Sequence, residues 1–191
     1  MRQGWRNVLV IAVTTVVVLG GLLLVKQPWR QTGSYGAGVT AVDVSVAPGQ
    51  AVPAVGQLAA DFTATTITGD TVTLSGLRGQ PVWLLFGATW CTNCRAEAPD
   101  VQAVAQAYAG RATVVAVYVG ESSTTVRGYA DRVGLTYPQI ADAADTIAQT
   151  YAVMGIPAHF FIDADGVIRK IAVGPVSQQA ASNALDARLA G

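Results

Sequence analysis

The sequence predicts an α/β fold, a mixed sheet flanked by helices on both faces, from three observations. Two continuous apolar runs, Val82–Phe86 and Thr113–Val119, lack the alternation of a half-buried strand and suit strands covered on both sides. Helical segments separate these runs from each other and from later strand-like stretches, as in a sheet with crossover helices. The chain then closes on a hairpin signal and a final helix.

Each element has its own local reason. Phe62–Ile67 and Thr71–Leu74 flank Thr68-Gly69-Asp70, which marks an N-terminal hairpin. Gln80-Pro81 leads into the first buried strand. Cys94 to Tyr108 reads as a helix interrupted by Pro99, since proline removes one backbone donor and crowds the preceding turn. After Thr113–Val119, Ser122–Val133 is a helix with Ser122 or Ser123 as N-cap. Tyr137–Ile140 is a short strand and Ala143–Tyr151 a helix. His159–Ile162 and Val167–Val173 are strands joined by the turn Asp163-Ala164-Asp165-Gly166. Asp163 and Asp165 resemble half a calcium loop, but the remaining ligands are missing, so the turn is the better reading. Ser177–Ala190 forms the last helix.

Charge divides the 191 residues more sharply than their net value of zero suggests. Arg2, Arg6, Lys26 and Arg30 give the first 30 residues +4, and eight bases against twelve acids leave −4 for the rest. With no basic cluster beyond residue 30, a nucleic-acid partner is excluded. Asn7 to Val25 is an uncharged apolar run, bracketed by Trp5 and Trp29. As a helix it would measure roughly 29 Å, close to the ~30 Å hydrocarbon core of a bilayer. It is longer than a signal-peptide core, and Lys-Gln-Pro-Trp-Arg follows it in place of a small-residue cleavage site. The expectation is therefore an uncleaved membrane anchor over residues 1–30 and a Gly- and Pro-containing tether over 31–57. One globular domain over 58–191 completes the chain. Three positive charges before the span, counting the amino terminus, against two after it favour a cytoplasmic N-terminus.

The chemistry sits at Trp90-Cys91-Thr92-Asn93-Cys94, between a buried strand and a helix start. A thiolate there meets unpaired backbone N–H groups and the positive end of the helix dipole, which lower its pKa. Two intervening residues put the cysteines about one turn apart, within bridging reach. Cys91, expected at the exposed edge of the turn, is the nucleophile; Cys94, one turn inside, resolves the mixed disulfide. A purely structural disulfide over so short a loop would contribute only about 2 kcal/mol. A zinc site would need two further ligands, and the chain offers only His159; haem attachment would need histidine where Arg95 stands.

Taken together, several motifs resemble the thioredoxin-like TlpA/ResA family of membrane-anchored thiol–disulfide oxidoreductases, within the wider redoxin (AhpC/TSA) group. They are Asp61-Phe62-Thr63, Leu77-Arg78-Gly79, Phe86 to Pro99 around the cysteines, and Gly155-Ile156-Pro157 before Phe160-Phe161-Ile162-Asp163-Ala164-Asp165-Gly166. The resemblance implies a thioredoxin-like fold with an α/β insertion near Ser122–Ile140, and a redox-active Cys91–Cys94 disulfide. It also implies a cis peptide before Pro157, which shapes the groove beside the cysteines that receives a client backbone. Trp90, Thr92 and Asn93 would support the pair.

The implied activity is extracytoplasmic reduction of disulfides in client proteins such as apocytochrome c. A membrane thiol-reductant donor of CcdA type would recharge the pair, with no cofactor and no metal. Two alternatives use the same fold: a copper-delivery protein of the Sco kind, which would recruit His159, and a thiol peroxidase. The cysteine spacing argues against the first, and the missing proline–threonine frame around Cys91 against the second.

The chain departs from its relatives at three points. Asn93 stands where many have proline, Gly87 where tryptophan is common, and Leu85 where thioredoxin has a proton-shuttling acid. Glu97, one turn beyond Cys94, is the nearest acidic substitute; the competing reading is a solvated carboxylate or a partner for Arg95. His159, the lone histidine, reads as a structural strand residue.

Overall fold

The computed structural model describes residues 52–189 and the backbone of 44–46. The expected membrane span Asn7–Val25 lies outside the described residues. Among the described residues no helix is long and apolar enough to cross a membrane.

Strand β4 (Val82–Gly87) is buried along its whole length, which follows from a run with no polar side chain. It pairs in parallel with β5 (Thr113–Val119) and antiparallel with β7 (Ala158–Ile162). Strand β6 (Gln139–Asp142) adds in parallel outside β5, and β8 (Ile168–Val173) antiparallel outside β7. The sheet order is thus β6-β5-β4-β7-β8.

Side-chain alternation sends β4 residues to two separate cores. Trp83 and Leu85 join Val114, Ala116, Tyr118 and Phe161 beneath helices α1 (Thr92–Ala107), α2 (Ser123–Val133) and α4 (Gln178–Leu189). Val82, Leu84 and Phe86 join Val115, Val117, Phe160 and Ile162 on the other side. That second face is covered by α3 (Thr146–Thr150) and by a small antiparallel sheet, β1 (Val44–Val46), β2 (Phe62–Thr65) and β3 (Thr71–Thr73).

The expected hairpin, both apolar strands, the final hairpin and the four helices all form. The differences have local causes. Helix α1 runs through Pro99 without a break, because Ala98, Val101 and Val104 bury one face across that position. A 3-10 turn, Leu74–Leu77, replaces the end of the expected strand, and the Asp61 carboxylate accepts from the Ser75 backbone N–H and hydroxyl. Strand β6 lies two residues later than expected. Pro138 has no N–H for the ladder, and Asp142 can end a buried strand because its carboxylate accepts from Ala148 N–H at 2.8 Å. Asp145, at a φ of 58°, delays the start of α3.

The expected tether over 31–57 is corrected at two places. Val44–Val46 pair with Phe62–Ala64 as a strand. Further along, Gly56 N–H donates to Ile168 O, Ile168 N–H to Gln57 O, and Ala59 N–H to Gly166 O, so this stretch seals part of the β8 edge. Backbone donors and acceptors at a sheet edge need partners, which a Gly- and Pro-rich composition does not reveal.

Phe86 is fully buried and meets Phe160 edge-on at 5.6 Å, with Tyr151 at 5.3 Å. Phe86→Ala is expected to destabilise the domain by about 3–5 kcal/mol, as large cavities in aromatic cores do. Urea unfolding should show a lower midpoint with an unchanged slope.

Candidate active site

The site is built at the C-terminal end of β4. After Gly87 the chain turns, with Cys91 N–H donating to Ala88 O, and Cys91 becomes the N-cap of α1. Its Sγ accepts from Cys94 N–H at 3.2 Å, so sulfur satisfies one of the donors that a helix start leaves open. Cys91 and Cys94 are joined as a disulfide, with their Cα atoms 5.3 Å apart. The turn is anchored from just beyond β5, where Glu121, two residues past the strand, accepts from Thr89 N–H at 2.7 Å and from its hydroxyl at 2.6 Å.

Exposure of the cysteines reverses the sequence expectation. Cys91 is 8% exposed and Cys94 only half-buried, because the turn folds Cys91 inward while Trp90 projects outward at 68% exposure. Thr92 and Asn93 are exposed on the first turn of α1. The Ile156–Pro157 bond is cis. Pairing of Phe86 with Ala158 sets Pro157 beside the end of β4, the same end that launches the cysteine turn.

Glu97 is buried, which excludes the solvated carboxylate. It lines a small cavity with Cys94, Leu85, Gly87, Tyr118, Tyr129 and Tyr137. Gly87 keeps that side of Cys94 open, since an added Cβ would come within 3.4 Å of its sulfur. Glu97 Oε2 accepts from Val176 N–H at 3.1 Å, and Oε1 has no partner. Burial pushes its pKa up to about 7, with Asp100 adding to the rise and the Val176 N–H opposing it. Leu85 cannot carry a proton at this position; the acid reaches the same space from the helix.

Sequence reasoning gave His159 only a structural part. It is fully buried on β7, opposite Leu85, and its Nε2 lies 3.6 Å from Glu97 Oε2. Burial lowers its pKa to about 4, so the contact is not an ion pair near neutrality. Both ring nitrogens face protein partners, Trp83 Nε1 and Gly174 O, which leaves none to share with the cysteines in the copper reading. The usable signal was a histidine in an otherwise apolar five-residue strand. Glu121 left no such trace, because its partner Thr89 is 32 residues away in sequence.

The fold and the cysteine pair define a thiol–disulfide oxidoreductase of the thioredoxin class. The chain belongs to the AhpC/TSA family, matching it over residues 55–171. It is 35% identical over 127 residues to the thiol-disulfide oxidoreductase ResA of Geobacillus kaustophilus, covering 66% of this chain and 73% of that one. With the thioredoxin-like protein YneN of Bacillus subtilis it shares 37% identity over 134 residues, 69% and 78% of the two chains. The crystal structure of a thiol:disulfide interchange protein from Chlorobium tepidum superposes with a TM-score of 0.65 at 29% identity, covering 74% of this chain and 99% of the other.

A carboxyl group with a folded pKa raised from 4.5 favours the folded state only while it is protonated. Its contribution is complete below pH 4.5 and lost as pH rises through about 7. Glu97→Gln removes that loss. The stability difference between Glu97→Gln and wild type, from urea unfolding, should therefore grow by up to about 3 kcal/mol between pH 4 and 8.

Proposed function

We propose that this oxidoreductase works as a reductase of client protein disulfides. The observation that carries this reading is a helix-capping Cys91 sulfur backed by a buried, protonatable Glu97 in the cavity beside Cys94. In the dithiol form Cys91 attacks as the thiolate, stabilised by the Cys94 N–H and the N-terminal end of α1. Attack on a client disulfide forms a Cys91–client bond and releases one client thiolate. Cys94 then attacks Cys91 Sγ, forms the Cys91–Cys94 disulfide and expels the second client thiolate. Two electrons pass to the client, and two protons accompany them.

Protonation matters at both cysteines. A carboxylate at Glu97 can accept the Cys94 proton as that sulfur becomes a nucleophile, and return it on the reverse path. A pKa of about 7 suits either direction near neutrality. Pro157, cis and immediately before β7, forms the neighbouring wall along which a client backbone would lie. Trp90, exposed beside Cys91, adds an apolar contact, while Thr92 and Asn93 present the rim.

The reading includes a setting. Asn7–Val25 anchors the chain, the domain lies on the extracytoplasmic side, and a membrane thiol-reductant donor of CcdA type returns electrons to the pair. Clients are proteins with exposed disulfides, such as apocytochrome c. The uncharged 19-residue run and its tryptophan flanks support the anchor.

In a disulfide-exchange assay, Cys91→Ser should lose activity and Cys94→Ser should accumulate a mixed disulfide. Glu97→Gln should slow exchange at pH 7 by about 100-fold, the lower end of the range for a positioned proton-transfer group. Full activity in Cys91→Ser would overturn the roles. A reduction potential near about −120 mV, the value of a strong oxidant, would overturn the direction. The anchor is tested separately: the full chain should remain with membranes after an alkaline wash, and recovery in the supernatant would remove it.

A further inference from the structure

His159 is fully buried, yet the exchange steps above give it no task. Its hydrogen bonds specify where its proton sits. Trp83 Nε1–H can only donate, and it lies 3.3 Å from His159 Nδ1. Nδ1 is therefore the acceptor, and a neutral ring must carry its proton on Nε2. Gly174 O can only accept, and it lies 3.1 Å from Nε2. Two neighbours on different elements thus require the same tautomer.

That Nε2–H group is also 3.6 Å from Glu97 Oε2, just beyond hydrogen-bond length. We propose that His159, held as its Nε2–H tautomer by Trp83, is a positioning residue that offers Glu97 an N–H donor when the carboxylate forms. The proposal rests on Glu97 as the proton store of the site and explains how a buried carboxylate can form there at all. Glu97 has one backbone donor, from Val176, and one oxygen without a partner. A movement of a few tenths of an ångström lets the imidazole N–H divide itself between Gly174 O and Glu97 Oε2. Such a bond strengthens as charge develops on the acceptor, so it favours the ionised form.

His159 does not itself take the proton. A second proton on the ring would sit on Nδ1, directed at the Trp83 N–H, so two donors would face each other. The surrounding charges act the same way. Lys170 on β8 disfavours a cation at His159, while Asp100 on α1 disfavours an anion at Glu97. Tyr129 on α2 and Tyr137 before β6 also face Glu97, and both phenols are held protonated by burial. The donor from His159 therefore opposes both Asp100 and the burial of Glu97.

The test is NMR titration of the full chain in detergent micelles, in the disulfide form so that no thiol titrates. Ring nitrogen shifts should show the Nε2–H tautomer of His159 in the wild type, with protonation only near pH 4. The Glu97 side-chain carboxyl carbon should titrate near pH 7. His159→Leu should bind the Glu97 proton about tenfold more tightly, moving that midpoint up by about one pH unit. His159→Gln, which restores an N–H donor, should return it toward the wild-type position. Trp83→Phe should release the ring, allowing His159 to protonate at higher pH.

An Nδ1–H tautomer in the wild type would overturn the proposal without any variant. So would an unchanged Glu97 midpoint in a folded His159→Leu. Failure of the proton-store reading looks different: Glu97→Gln would exchange disulfides at the wild-type rate while the coupling between His159 and Glu97 remained visible in the titration.

Discussion

A six-residue strand with no exposed residue cannot exist alone, and β4 imposes that constraint on the whole domain. Its backbone groups must be paired on both edges and its side chains covered on both faces. Strands β5 and β7 meet the first need; the helices and the small N-terminal sheet meet the second. The site follows from the same requirement. A strand held on four sides ends at a fixed point, and the Ala88–Cys91 turn and the helix cap are built from that point outward. Pairing with β7 then fixes which residues lie beside the turn. Phe86 opposite Ala158 sets Pro157 at the end of β4 from which the cysteine turn starts, and Leu85 opposite His159 carries the histidine toward Glu97.

The two buried ionisable groups at the site are shifted in opposite directions by the same cause. Burial raises the carboxyl of Glu97 and lowers the imidazole of His159, so both are driven toward neutrality. Were they an ion pair, the site would hold a fixed dipole and Glu97 would be a permanent carboxylate. Kept apart at 3.6 Å, with His159 turned to Trp83 and Gly174, they leave Glu97 able to take up or release a proton near neutrality. The three tyrosines of the cavity wall extend this logic, since burial keeps their hydroxyls protonated.

Local sequence carries a large share of this organisation and omits a specific remainder. Apolar continuity revealed β4 and β5, and cysteine spacing before a helix revealed the redox pair. The shape of the site depends on contacts between distant residues. Glu97 stands among Arg95, Ala96 and Asp100, a setting that fits an exposed helix face; only the packing of α1 under Val176 shows that it turns inward. The burial of Cys91 depends on a turn whose anchor, Glu121, comes from the end of another strand. The short strand at residues 44–46 finds its partner only in β2, beyond the Pro- and Gly-containing stretch that follows it.

The stretch from Gly56 to Ala59 has a consequence beyond its place in the fold. It caps an edge that would otherwise present the unpaired N–H and C=O of Ile168, at the start of the strand whose far end carries the exposed Val173. An open edge beside apolar side chains is a template on which another chain can add a strand. A soluble fragment begun at Leu58 would cut away that cap and invite self-association through β8. One begun ahead of Val44 would keep it, together with the outer strand of the small sheet. Colloidal behaviour at β8 therefore depends on residues that contribute nothing to the chemistry at Cys91.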